Sequence, residues 1–207
     1  MLTEVFDAYG EIYGNILTKI YPAKNSTGFP ERNLTVNFSK AYEKVSQQKN
    51  QNSFTWFEFQ FGEENNLHID AVIINETLNE MYVIESKRFS NPNAKMEEIG
   101  EDIERIHMFV NELYKECKED SEKYRIDMNN IEKCYGIILA DVWMETSLKE
   151  EICKAYKDGN FLEKYKKIVN NQQELDKVQY YVYSMQKNER KRVHPYNLVS
   201  LCWEMIL

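Results

Sequence analysis

The chain has 207 residues, 43% hydrophobic and 29% charged, with a formal net charge of −8. That is enough for one domain with a sizeable core, and the acidity excludes a protein that coats nucleic acid by charge alone. No apolar run approaches a membrane span, residues 1–20 carry Glu4, Asp7 and Glu11, and Cys117, Cys134, Cys153 and Cys202 are scattered among only three histidines. A membrane partner, a secretory leader and a structural zinc site are therefore not expected, and a cytoplasmic setting with reduced thiols is.

Residues 1–20 place Leu2, Val5, Phe6, Tyr9, Ile12, Tyr13, Ile16, Leu17 and Ile20 at three- and four-residue steps, which predicts an amphipathic helix packed on the core or, as the sharper alternative, pairing a homodimer. Residues 21–30, with two prolines, a glycine and Asn25-Ser26-Thr27, read as a loop. Pro30 suits the first turn of a second helix running to about Lys49. Its apolar face is Leu34, Phe38, Ala41, Tyr42 and Val45; Glu31 falls near the centre of that face and Glu43 on the opposite side. Residues 54–61 (FTWFEFQF) alternate as a strand carrying Glu58, and 62–66 turn the chain.

Residues 67–75 and 81–87, rich in Ile, Val and Tyr and separated by a short polar turn, predict an antiparallel hairpin. A long helix follows from Ala94 to about Lys118, with Ile99, Ile103, Ile106, Val110, Leu113 and Cys117 on one face. Glu97, Glu98, Glu101, Glu104, Glu112 and Glu116 form its acidic, solvated outer face, and Asp102 lies at the edge of the apolar stripe, where it could line the site but a salt bridge or a cap suits it better. Residues 133–140 (KCYGIILA) read as a buried central strand. Two short helices over 147–156 and 160–169 and strands over 178–185 and 197–203 complete the chain. Residues 187–192 (KNERKR) are its densest basic cluster, read as a solubilising tip or as a phosphate-contacting loop through Lys191 and Arg192.

The chemistry sits in the hairpin. A symmetric turn pairs residue 75 with 80, which puts Asp70 opposite Glu85 and His68 opposite Lys87. Asp70, Glu85 and Lys87 would then share one face. Directly opposed carboxylates destabilise a sheet; a divalent cation between them removes that cost. An octahedral Mg²⁺, or Mn²⁺ in its place, takes one or two carboxylates and keeps waters elsewhere.

Asp70, a turn, and then Glu85-Ser86-Lys87 on the next strand resemble the core motif of the PD-(D/E)XK nuclease superfamily, with Ile69 where the name has Pro. The resemblance covers roughly residues 30–140. It implies an α/β (α+β), restriction-endonuclease-like three-layer core: a central mixed sheet flanked by helices, with the N-terminal helix of residues 1–29 added before it and a helical and β extension over 141–207. It implies Asp70, Glu85 and the Ser86 carbonyl as metal ligands and a further acid, Glu31 before Glu43, from the helix after Pro30, with Glu58 as the other candidate. Lys87 would neutralise the scissile phosphate or orient water, because acids beside it hold it protonated. Arg88, on the other face or in the next loop, would clamp a flanking phosphate; His68 would relay a proton or be structural. The expected activity is Mg²⁺-dependent phosphodiester hydrolysis, with DNA favoured over RNA. The alternatives are a catalytically silent binding or regulatory subunit of the same fold, and an unrelated α+β domain with an ordinary surface network.

Overall fold

The computed structural model describes residues 1–19, 30–62, 66–88, 92–119, 126–143, 167, 175–185 and 196–206. In chain order these form α1 (Leu2–Lys19), α2 (Glu31–Gln48), β1 (Ser53–Phe61), β2 (Leu67–Asn75), β3 (Glu80–Arg88), α3 (Pro92–Glu119), a 3-10 turn (Met128–Asn130), β4 (Lys133–Trp143), β5 (Asp176–Met185) and β6 (Tyr196–Met205). The strands make one mixed sheet in the order β1-β2-β3-β4-β6-β5. Only β3 and β4 run parallel, and α3 supplies the long crossover that such a pair needs.

Two cores follow from this layering. Beneath α3, Ile99, Ile103, Ile106, Phe109 and Leu113 meet Val72, Met81, Val83, Ile138 and Trp203. On the other side, Val5, Phe6 and Tyr9 of α1 and Leu34, Phe38 and Tyr42 of α2 meet Ala71, Ile73, Tyr82, Ile84 and Leu139. Burying each large apolar side chain contributes about 2 kcal/mol. Both helical stripes expected from the sequence are thus core, and the apolar face of α1 packs inside its own chain. Val5, Phe6, Tyr9, Tyr13 and Leu17 are buried, while Leu2, Ile12 and Ile16 are half-buried. Gly136 on β4 is a glycine for a packing reason: a Cβ there would run into the indole of Trp203 on β6.

The last two strands do not lie in sequence order. β6 pairs with β4, leaving β5 outermost. The helices expected over 147–156 and 160–169 and the basic cluster 187–192, with Lys191 and Arg192, lie outside the described residues, apart from the single position 167. No helix among the described residues is long and apolar enough to cross a membrane.

Candidate active site

The β2–β3 ladder runs from Asn75–Glu80 to Ala71–Ile84 in the register of a symmetric turn, and there it stops. Asp70 is the next residue. Its neighbours Ile69 and Ala71 belong to the two different cores, so strict in-and-out alternation fails at this position. On β1 the same level is irregular: Phe57 pairs with Ala71 and Phe59 with Ile69, while Glu58 between them has φ 53. That is left-handed backbone, which a non-glycine residue adopts at a cost. In place of a ladder bond, the Ser86 amide donates to Asp70 Oδ2 at 2.7 Å.

Ser86 is gripped from both sides, because its hydroxyl also bonds Thr35 on α2. Glu85 and Lys87, its neighbours in β3, belong to the other side of the strand, where α3 supplies their partners. Glu85 is 4% exposed and accepts from Arg105 Nη1 at 3.2 Å. The same Nη1 reaches Asp102 Oδ1 at 3.2 Å, and Asp102 Oδ2 lies 3.0 Å from Lys87 Nζ. Lys87 Nζ is also 3.2 Å from Glu98 Oε2. One continuous ionic chain therefore joins Glu98, Lys87, Asp102, Arg105 and Glu85.

Burial pushes the Glu85 carboxyl up to about 9; the nearby Asp70 and Asp102 charges add to this and Arg105 offsets part of it. Asp70 is also raised, first by burial and then by the Glu58 and Glu31 charges, against the pull of the Ser86 hydrogen bonds. Burial raises Asp102 as well, despite Lys87 and Arg105. Burial alone would lower Lys87, but Asp102 and Glu98 outweigh it and hold the ammonium above its ordinary value. When all are ionised, the carboxylates Asp70, Glu85, Glu98 and Asp102, with Glu31 and Glu58 nearby, outnumber the cations Lys87 and Arg105.

The donor set fits a divalent cation in a restricted way. Among the described residues, no group of three or more His, Cys, Asp or Glu is close enough to hold a metal; Asp70 and Glu85 are the two acids that could serve one here. A hard cation that retains its waters needs no more. Glu31, the expected third acid, contributes to the field at Asp70, yet its Oε1 accepts from the Arg88 amide at 2.9 Å and is not gathered with the pair. Glu58 likewise acts on Asp70 by charge.

Other expected positions are rearranged. His68 does not face Lys87, because the β2–β3 ladder has already ended; it pairs with Gln60 on β1, and its ring lies 3.9 Å from Glu58. Glu43 is exposed and accepts from Gln47, remote from this cluster. Two glutamates of the supposedly solvated face of α3 are engaged, Glu98 by Lys87 and Glu112 by the Gly62 amide at 3.0 Å. Arg105 and Glu98 are the site residues that sequence reasoning missed. Their signal was available: Glu98, Asp102 and Arg105 recur at steps of four and three, on one helical face. Comparison with known proteins adds no relatives, since no family model, curated protein or solved structure matches the chain.

Proposed function

We propose that the chain is a divalent-metal-dependent nuclease that hydrolyses phosphodiester bonds, DNA first among its substrates, and that it belongs with the PD-(D/E)XK enzymes. The observation that carries this reading is that Asp70, half-buried and held by the Ser86 amide, lies near enough to the buried Glu85 for its charge to help raise that carboxyl, at the point where the β2–β3 ladder stops. Each acid has a partner, Glu85 in Arg105 and Asp70 in the Ser86 amide, yet placing both carboxyls here still carries a desolvation cost that neutral side chains would avoid. Asp70, Glu85 and the Ser86 carbonyl would hold Mg²⁺ or Mn²⁺, which when bound lowers the pKa of a water ligand and polarises a phosphoryl oxygen.

The protein's own contribution is positioning and charge. The Ser86 amide fixes one oxygen of Asp70, and Arg105 fixes one oxygen of Glu85. Lys87, held protonated by Asp102 and Glu98, stands two residues beyond Glu85, where an ammonium can neutralise charge growing on the phosphate. Arg88 follows at the end of β3, opposite Asp141 of β4, where it can meet a flanking phosphate. Glu85 must give up its proton before it can coordinate, so cation affinity rises with pH.

A second reading has one observation in its favour. Lys87 is already engaged by two acids, as it would be in a catalytically silent subunit that keeps the fold for a regulatory partner. Incubating the purified chain with Mg²⁺ or Mn²⁺ and a panel of duplex, single-stranded and junction DNA and RNA separates the two. The enzyme reading expects cleavage of at least one substrate, reduced about a thousandfold in Lys87→Ala and in Asp70→Asn with unchanged circular dichroism. Equal activity of wild type and Lys87→Ala, or none on any substrate, would remove it.

A further inference from the structure

The turn end of the β2–β3 hairpin, remote from Asp70, borders a different kind of surface. β1 is the outermost strand on this side of the sheet among the described residues. Natural edge strands are shielded by lysines, prolines or bulges, but Ser53–Phe61 (SFTWFEFQF) contains no Lys, Arg or Pro. Its one irregularity is the left-handed Glu58, which leaves residues 53–57 as a regular edge. Two large side chains on that stretch are turned outwards, Phe54 at 48% and Trp56 at 61% exposure. Beside them a groove of about 500 Å³ has Phe59, Val72, Ile74 and Ile131 in its walls, and among the described residues its lining holds the acids Glu76 and Asp127 and no Lys or Arg.

We propose that this edge and groove dock an extended segment of a partner protein, apolar on alternate positions and carrying Lys or Arg. Such a segment adds to β1 as a strand, so that main-chain groups supply affinity and alternate side chains supply choice. Its apolar residues lie against Trp56 and Phe54, with a cation over an aromatic face or beside Glu76 and Asp127. Charge complementarity selects this occupant over the others. A second copy of the chain brings a net charge of −8 and the same acids, and nucleic acid brings phosphates to a groove whose lining, among the described residues, holds acids and no cation. The inference is independent of the nuclease reading, because the groove shares none of its lining residues with the acid pair.

A displayed library of short random peptides, selected on the intact chain, tests it. The expected result is enrichment of peptides with Lys or Arg among alternating β-branched or aromatic residues, and slowed hydrogen exchange at residues 53–57 when a resynthesised winner binds. Binding should weaken about tenfold in Trp56→Ala and in Phe54→Ser, the range of an interface anchor, and Glu76→Gln with Asp127→Asn should weaken it and flatten its salt dependence. Both aromatic positions are exposed, so circular dichroism should show folded variants. No enrichment, enrichment of peptides without basic residues, or undiminished binding by both aromatic variants would overturn the proposal. So would a dimer, or an oligothymidine complex, that forms with the wild type and is lost in Trp56→Ala.

Discussion

β3 turns two faces to two layers, and the layers treat its polar residues in opposite ways. Towards α2, Ser86 meets the neutral hydroxyl of Thr35, and nearby Tyr42 accepts from Asn75 at 3.1 Å. Towards α3, Glu85 and Lys87 enter a run of full charges with more acid than base. Neutral hydrogen bonds are sufficient to fix a strand against a helix, as the first face demonstrates. The ionic arrangement on the second has a desolvation penalty that structure alone does not require. The contrast sets a neutral face against an ionic one within a single strand.

The largest expected difference between the two faces is in pH dependence. Glu85 is raised from 4.5 to about 9 by burial and by Asp70, so the folded state holds a proton that the unfolded state has released between those values. The contribution of Glu85 to stability is therefore fully present below pH 4.5 and is lost as pH rises towards 9, by up to about 6 kcal/mol. Urea midpoints measured across that window should show the slope, and Glu85→Gln should flatten it. An unchanged slope in Glu85→Gln would place the titration elsewhere.

Arg105→Ala comes next. It removes a partner shared by Glu85 and Asp102, and should destabilise the fold by about 2 kcal/mol at neutral pH. This is less than a fully buried pair would lose, because Arg105 is partly exposed and Glu85 can stay protonated. The smallest effect belongs to the neutral face: Thr35→Ala should cost about 1 kcal/mol and leave the pH slope as it was. If Thr35→Ala proved as damaging as Arg105→Ala, the contrast between the faces would fail.

These residues also mark how far the sequence could be read. The hairpin register was legible because Ile and Val flank a turn too short for slippage, and the apolar stripes of α2 and α3 predicted the two cores. Asp70, Glu85 and Lys87 were found as charges interrupting an apolar background. What stayed hidden depends on contacts between distant elements. Nothing local tells that Glu58 adopts a left-handed conformation, or that the ladder stops at Ala71 and turns His68 towards β1. Glu98 read as one more solvated glutamate because an acidic helix face looks the same whether or not a lysine from a neighbouring strand reaches it. The insertion of β6 between β4 and β5 is similarly invisible to periodicity, since both segments read simply as strands.

The claim on which the functional account rests is that Asp70 and Glu85 together bind one divalent ion. Titrating the chain with Mn²⁺ and following free ion by electron paramagnetic resonance measures this without any substrate. The account predicts saturable binding at a single site, stronger at alkaline pH, lost in Asp70→Asn and in Glu85→Gln, and retained in Lys87→Ala. Binding that survives both carboxylate substitutions, or its absence from the wild type, would contradict it.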